Sequence, residues 1–298
     1  MGRGYRAERV PDAQVSGTVE VMTVDVNDGG AASLSTDDWS GGGSAALAAY
    51  APAVTLSYAT LVGVRPSGVF DELLAEPAVT AFADQFRADV SQIDEPMRAD
   101  FATVTGKHQF AVTQMVWIAD VAPRLRAALD TLFGPSTWPD ERRYPVADVW
   151  TTIENFMASV ARLTALDPTV TELVRLRGAR QHDCRVCKTR RSVEALEAGA
   201  DDATFDAVDQ YETSDLPPAT KAALALVDAI IWTPDALPPD VVEDVRARLT
   251  PAQTVEVVLD VVRNAANKIA VALGADAPEV TEGVQLFRTD ADGVLTTV

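Results

Sequence analysis

Cys184 and Cys187 are the residues of this chain whose type and spacing most clearly allow chemistry. They are the only two cysteines among 298 residues, and two residues separate them. Side chains three positions apart on a helix are neighbours, so the two sulfurs can join in a disulfide with little backbone movement. The spacing therefore predicts a reversible dithiol.

The local sequence favours a reactive sulfur at this pair. Asp183 is a suitable N-cap, so we expect a helix that begins at Cys184 and holds both sulfurs in its first turn. Unpaired backbone N–H groups at a helix start stabilise a thiolate. Positive charge is added to an otherwise acidic protein by Arg185, Lys188, Arg190 and Arg191.

Another helix is expected just before the cysteines. It runs over residues 167–180 and opens with an Asp-Pro pair, which supplies an N-cap and a first-turn proline. If it forms an antiparallel hairpin with the cysteine helix, simple counting places Glu172 opposite Arg191. Cys187 is one helical turn before Arg191, so these three side chains would form a line.

This spacing resembles that of the AhpD-like alkylhydroperoxidase and carboxymuconolactone decarboxylase family. Its peroxidase branch carries Glu, eleven residues, Cys-x-x-Cys, three residues and then His. Glu172, Cys184 and Cys187 stand at the matching positions, and Arg191 stands at that of the His. The resemblance implies an all-α, AhpD-like helical bundle in which Cys187 attacks the peroxide and Cys184 resolves the sulfenic acid into a disulfide.

Arg191 is the departure from the family pattern. In the family Glu, His and water form a proton relay, whereas an arginine stays protonated and cannot pass a proton along. We therefore expect Arg191 to hold the Cys187 thiolate and to pair with Glu172. Water, or His182, would then complete the relay.

The resulting hypothesis is a cofactor-free, thiol-dependent peroxidase that reduces a hydroperoxide and is regenerated by a dithiol or protein reductant. Two other functions stay open: a non-catalytic redox-sensing or scaffold protein, and a carboxymuconolactone decarboxylase-like enzyme. The plainer interpretations of the residues also stay open. They are buried core thiols, a solvated Glu172, an exposed Arg191 and a His182 that merely occupies a turn.

Composition limits the partners and the compartment. The formal net charge of −19 argues against nucleic acid or an anionic membrane as a partner.

Two closely spaced cysteines indicate redox chemistry in a reducing compartment, so we expect a cytoplasmic protein without a secretory signal. Zinc is not expected, because a second Cys-x-x-Cys pair is absent. Residues 41–64 carry no charge, but proline and small residues favour a buried helical pair over a membrane span.

A weak internal repeat predicts the domain organisation. Placing Pro77 over Pro218 aligns the two halves at an offset of about 140 residues. We expect a tandem duplication: 1–40 as a flexible N-terminal arm, 41–134 as a degenerate AhpD-like domain without cysteines, 135–145 as a linker, 146–275 as the catalytic AhpD-like domain, and 276–298 as an irregular C-terminal tail. Proteins resembling this family assemble as trimers or hexamers, so the resemblance implies a homo-oligomer such as a trimer.

Further helices are expected in the catalytic half. The pattern predicts them over residues 146–163, 201–211, 217–232, 238–249 and 250–273. Asn264 and Asn267 are polar positions on the otherwise apolar last helix. They either line the site or satisfy a subunit interface.

Overall fold

The computed structural model of the protein describes residues 38–66, 68–138, 148–280 and 282–298. Helices dominate these residues and strands are few, as predicted for the all-α class. Most of the predicted N-terminal arm and most of the predicted linker lie outside the described residues. The described residues belong to one compact unit, and the duplication and its domain boundaries stay predictions.

The first half of the described chain is helical. Its helices are α1 (Gly43–Tyr50), α2 (Pro52–Val62), α3 (Val69–Leu74), α4 (Pro77–Ala88), α5 (Glu95–Thr105) and α6 (Gln109–Phe133), with short 3₁₀ helices at Val90–Gln92 and Gly106–His108. The uncharged stretch 41–64 forms α1 and α2, which agrees with the predicted helical pair. Throughout the described residues, no helix combines the length and the apolar character that crossing a bilayer requires.

The second half adds more helices and a small sheet. The helices are α7 (Val149–Ala161), α8 (Pro168–Gln181), α9 (Arg185–Lys188), α10 (Val193–Glu197), α11 (Asp202–Asp206), α12 (Pro218–Trp232), α13 (Pro239–Arg248), α14 (Pro251–Asn264) and α15 (Asn267–Ala272), with a 3₁₀ helix at Ala207–Thr213. The strands are β1 (Arg190–Ser192), β2 (Gln285–Thr289) and β3 (Leu295–Thr297).

The predicted helix starts rest on side-chain caps. Asp167 accepts hydrogen bonds from the backbone N–H groups of Thr169 and Val170, which fixes the first turn of α8. Thr250 and Gln253 form a reciprocal capping box at the start of α14. Each such cap contributes about 1 kcal/mol to helix stability. These local signals explain why the predicted starts at 167 and 250 are confirmed.

Helix α14 lies at the centre of the packing. It contacts α1, α6, α7, α8 and α12. Every residue from 254 to 262 is buried, as is typical of a helix surrounded by others. The predicted single helix 250–273 is wrong, because α14 ends at Asn264 and α15 begins at Asn267. Asn267, the first residue of α15, lies beside Cys187.

The C-terminal residues form regular structure, so the expectation of an irregular tail is wrong. Strand β2 pairs with β1 in parallel, with Arg191 opposite Leu286, and β3 pairs with β2 antiparallel. Strand pairing depends on a distant partner, which a local pattern does not reveal. The sheet ties the segment after the cysteines to the end of the chain.

Candidate redox site

Cys184 and Cys187 are joined in a disulfide, and their Cα atoms are 5.3 Å apart. The two halves of this bond differ in exposure. Cys184 is completely buried, whereas Cys187 is half-buried and lines an open cleft. A molecule in the cleft can therefore reach the sulfur of Cys187 and not that of Cys184.

The backbone around the cysteines differs from the expected helix start. Cys184, and not Asp183, is the N-cap of α9, and its Sγ accepts a hydrogen bond from the Cys187 N–H at 3.3 Å. Asp183 adopts a left-handed conformation with φ of 52° and pairs with Lys188. Helix α9 contains only four residues. The sulfurs thus lie at a single helical turn and not on a full helix.

A buried carboxylate anchors this turn to the C-terminal segment. Asp276 accepts hydrogen bonds from the Arg185 backbone N–H at 2.9 Å and from its guanidinium at 2.6 Å. The Asp276 carbonyl accepts one from the Val186 N–H at 3.0 Å. Burial raises the pKa of Asp276, but the hydrogen bonds from Arg185 outweigh it and hold the pKa below its usual range. No local sequence signal links Asp276 to the cysteines.

Glu172 is buried, and its partner is Arg175. Both carboxylate oxygens accept from this guanidinium, at 2.6 and 2.7 Å. The same guanidinium donates to the backbone carbonyls of Cys187 at 2.9 Å and Arg190 at 2.8 Å. We call Glu172 and Arg175 the α8 clamp, because together they hold the cysteine segment against α8. Their spacing of three residues is a pairing signal that the sequence analysis overlooked.

Arg191 does not form the expected pair with Glu172. It lies on β1, where its guanidinium donates to the carbonyls of Lys188 at 2.8 Å and Arg190 at 2.9 Å and stacks on the Phe205 ring at 5.3 Å. Burial and the nearby charge of Arg175 lower its pKa. The predicted line of three side chains is wrong, because the chain leaves the helix before residue 191 and enters a strand.

His182 is buried and contacts Asn267. Its Nδ1 is 3.3 Å from Asn267 Oδ1, and Asn267 Nδ2 is 3.4 Å from Cys187 Sγ. Burial, assisted by the charges of Lys268 and Arg124, lowers the pKa of His182 to about 3. His182 is therefore neutral near pH 7 and reaches the sulfur only through Asn267.

The cleft in front of Cys187 has a volume of about 1680 Å³. Its walls come from α2, α7, α8, the end of α14 and the loop between β2 and β3. Exposed apolar side chains enter it from two sides: Leu56 from α2, and Val294 and Leu295 from the β2–β3 hairpin. Asn264 also lines it, so both asparagines singled out in the sequence lie at this site. Among the described residues, no group of three or more His, Cys, Asp or Glu side chains is arranged to hold a metal ion.

Two proteins of Mycobacterium tuberculosis are similar to this chain. They are "Uncharacterized protein Rv2313c" of strain ATCC 25618 / H37Rv and "Uncharacterized protein MT2376" of strain CDC 1551 / Oshkosh. Each is 42% identical to the chain over 230 residues, which cover 74% of this chain and 80% of the relative. The chain belongs to the family of these two mycobacterial proteins.

The names of these two relatives state no activity. No family model matches the chain, and no solved structure matches it. Its chemistry is therefore argued from the geometry of the site itself.

Proposed function

We propose that the protein is a thiol-dependent peroxidase that reduces hydroperoxides through a reversible Cys184–Cys187 disulfide. The observation that carries this proposal is the unequal exposure of the two sulfurs. Cys187 opens to a cleft that admits a substrate, and Cys184 is fully buried at bonding distance behind it. An attacking thiol needs access, whereas a resolving thiol needs only its partner.

The reaction balances with one external dithiol. The Cys187 thiolate attacks the outer oxygen of the hydroperoxide, the O–O bond breaks, and the alkoxide leaves and is protonated to the alcohol. The Cys187 sulfenic acid then reacts with the Cys184 thiol, which forms the S–S bond and releases water. A dithiol or protein reductant returns two electrons and two protons to the disulfide and leaves oxidised itself.

The α8 clamp has a positioning role in this proposal. Both Glu172 oxygens are taken up by Arg175, so Glu172 acts on Cys187 through the guanidinium and the backbone and not as a direct proton carrier. Arg191, with its donors on backbone carbonyls, stabilises the turn in the same way. Since His182 is neutral, water in the open cleft supplies the proton for the leaving alkoxide.

The finer expectations from the family resemblance belong to the same proposal. They are an AhpD-like fold, a tandem duplication with one active copy, a homo-oligomer and a cytoplasmic location. The volume of the cleft far exceeds that of hydrogen peroxide, which favours a bulky organic hydroperoxide as the substrate.

The test follows thiols and turnover together. Reduced protein is mixed with an equal amount of cumene hydroperoxide, thiol loss is followed with time, and alcohol formation is then measured with excess dithiothreitol. We expect rapid loss of both thiols and many turnovers. Cys187→Ser should abolish turnover. Cys184→Ser, mixed with the peroxide without dithiothreitol, should stop after one oxidation, with a sulfenic acid that dimedone traps.

Two results would contradict the proposal. Thiol loss no faster than that of free cysteine would exclude a peroxidase, and turnover that survives in Cys187→Ser would exclude the assigned attacking residue. Fast oxidation without turnover by any dithiol would instead indicate the redox-sensing alternative, in which the disulfide only rigidifies the turn.

A further inference from the structure

Asn267, the first residue of α15, lies against the reactive sulfur. Its Nδ2 is 3.4 Å from Cys187 Sγ, a hydrogen-bonding distance for sulfur. Among the described residues, Asn267 is the side chain that donates to this atom. Five cations near the turn are held by carboxylates of their own: Arg175 by Glu172, Arg185 by Asp276, Lys188 by Asp183, Arg190 by Glu279 and Lys268 by Asp120. A sixth, Arg191, donates to the backbone carbonyls of Lys188 and Arg190 and stacks on Phe205. A neutral amide is thus the direct partner of the sulfur.

The His182 ring is a hydrogen-bond partner that can fix which end of the Asn267 amide faces the sulfur. An amide can present either its NH₂ group or its oxygen, and the choice follows from its other hydrogen bonds. His182 is neutral, so one ring nitrogen carries a proton and the other does not. In the tautomer with its proton on Nδ1, the ring donates to Asn267 Oδ1, which lies 3.3 Å away. The NH₂ group is then left pointing at Cys187.

The opposite orientation becomes unfavourable once the disulfide is reduced. It would set the amide oxygen against a thiolate, where two electron-rich atoms repel each other. The charges of Lys268 and Arg124 oppose the protonation of His182. The hydrogen bond to Asn267 Oδ1 requires a proton on Nδ1, which a neutral imidazole can carry.

We propose that Asn267 is a catalytic residue, which stabilises the Cys187 thiolate by a hydrogen bond from its NH₂ group, and that His182 is a positioning residue, which fixes the orientation of that amide. This inference concerns the site of the proposed peroxidase and deepens that proposal. It also gives His182 a role that differs from the proton relay implied by the sequence. The acidity of the thiol can be measured without a peroxide, so the two proposals can fail separately.

The test is the pH dependence of Cys187 alkylation. In a Cys184→Ser background Cys187 is the only thiol, because the chain contains two cysteines. The rate of reaction with iodoacetamide is measured across pH. The midpoint of this pH–rate curve reports the pKa of the Cys187 thiol. We expect Asn267→Ala to raise this midpoint by about one pH unit, which is a roughly tenfold loss of thiolate below the midpoint. Asn267→Asp, which keeps the shape and adds a negative charge, should raise the midpoint further.

His182→Phe separates positioning from direct contact. It should raise the midpoint by less than Asn267→Ala does, and it should add nothing in the Asn267→Ala background, because both changes act through one hydrogen bond. Asn264→Ala is the matched control. Asn264 lies one turn earlier, lines the same cleft and has no hydrogen bond to the sulfur, so the midpoint should stay unchanged.

The outcomes distinguish this inference from the proposed function. Equal midpoints for the parent, Asn267→Ala and Asn267→Asp overturn the inference. It is also overturned if His182→Phe shifts the midpoint as much in the Asn267→Ala background as it does in the parent. If the midpoints move as expected but the protein with both cysteines turns over no peroxide, the inference stands and the peroxidase proposal falls. Circular dichroism of each variant verifies that the fold is kept.

Discussion

Removal of Arg175 is the sharpest test of how the structure holds the cysteine turn. Its guanidinium donates to both oxygens of Glu172 and to the backbone carbonyls of Cys187 and Arg190. Only 1% of the Glu172 side chain and 13% of the Arg175 side chain are exposed. Arg175→Ala therefore leaves a buried carboxylate with the Ser192 N–H, at 3.2 Å, as its remaining hydrogen-bond donor in the described structure.

The size of the effect follows from this burial. Removing one partner of a buried ion pair costs about 3 to 5 kcal/mol, because the other charge stays buried and uncompensated. For a chain of this size, such a loss lowers the Tm by roughly 10 °C. Arg180→Ala is the matched control on the same helix. Arg180 pairs with Asp209, whose side chain is 54% exposed, and such pairs contribute less than about 1 kcal/mol.

The assay is thermal and urea unfolding followed by circular dichroism, with hydrogen exchange at residues 187–192 as a local readout. We expect a large loss of stability and faster exchange in Arg175→Ala, and little change in Arg180→Ala. The double variant Glu172→Leu, Arg175→Met should recover much of the loss, since it leaves no buried charge. Equal Tm shifts for Arg175→Ala and Arg180→Ala would show that the α8 clamp does not hold the cysteine segment.

Two further predictions concern other parts of the fold. Burial, partly opposed by Arg263, raises the pKa of Asp260 to about 7, so the stability that this carboxyl contributes is complete below about pH 4 and is lost as the pH rises through 7. The difference in unfolding free energy between Asp260→Asn and the parent, measured in urea, should therefore shift in favour of the variant by about 1 to 3 kcal/mol from pH 5 to pH 8. A difference that does not change with pH would contradict this. Gly293 has φ of 82°, and a Cβ there would lie 2.2 Å from the Ala158 carbonyl oxygen. Gly293→Ala should therefore lower the free energy of unfolding by about 1 to 3 kcal/mol more than Gly283→Ala, where φ is 75° and the space is open. Equal losses in urea unfolding would show that the hairpin moves away from α7 without strain.

Local chemistry explains what could be predicted from the sequence. The helical class, the starts of α8 and α14, and the pairing of the two cysteines each depend on residues a few positions apart. The Asp-Pro and Thr-Pro caps act within one helical turn, and two cysteines in one chain leave one possible intramolecular pair. For Glu172 the sequence located a residue of the site but misassigned its partner, although Arg175 was within reach on the same helix.

The sequence alone thus determined the helical class, the starts of α8 and α14 and the pairing of the two cysteines, because these follow from neighbours along the chain. Tertiary structure decided the rest of the site. Pairing with β2 turned Arg191 into a strand residue, and the break after α14 brought Asn267 to Cys187. Burial lowered the pKa of His182 to about 3, so this side chain is neutral near pH 7. Each of these outcomes depends on a contact with a residue far along the chain or on the exclusion of water. Both arise only when the chain packs.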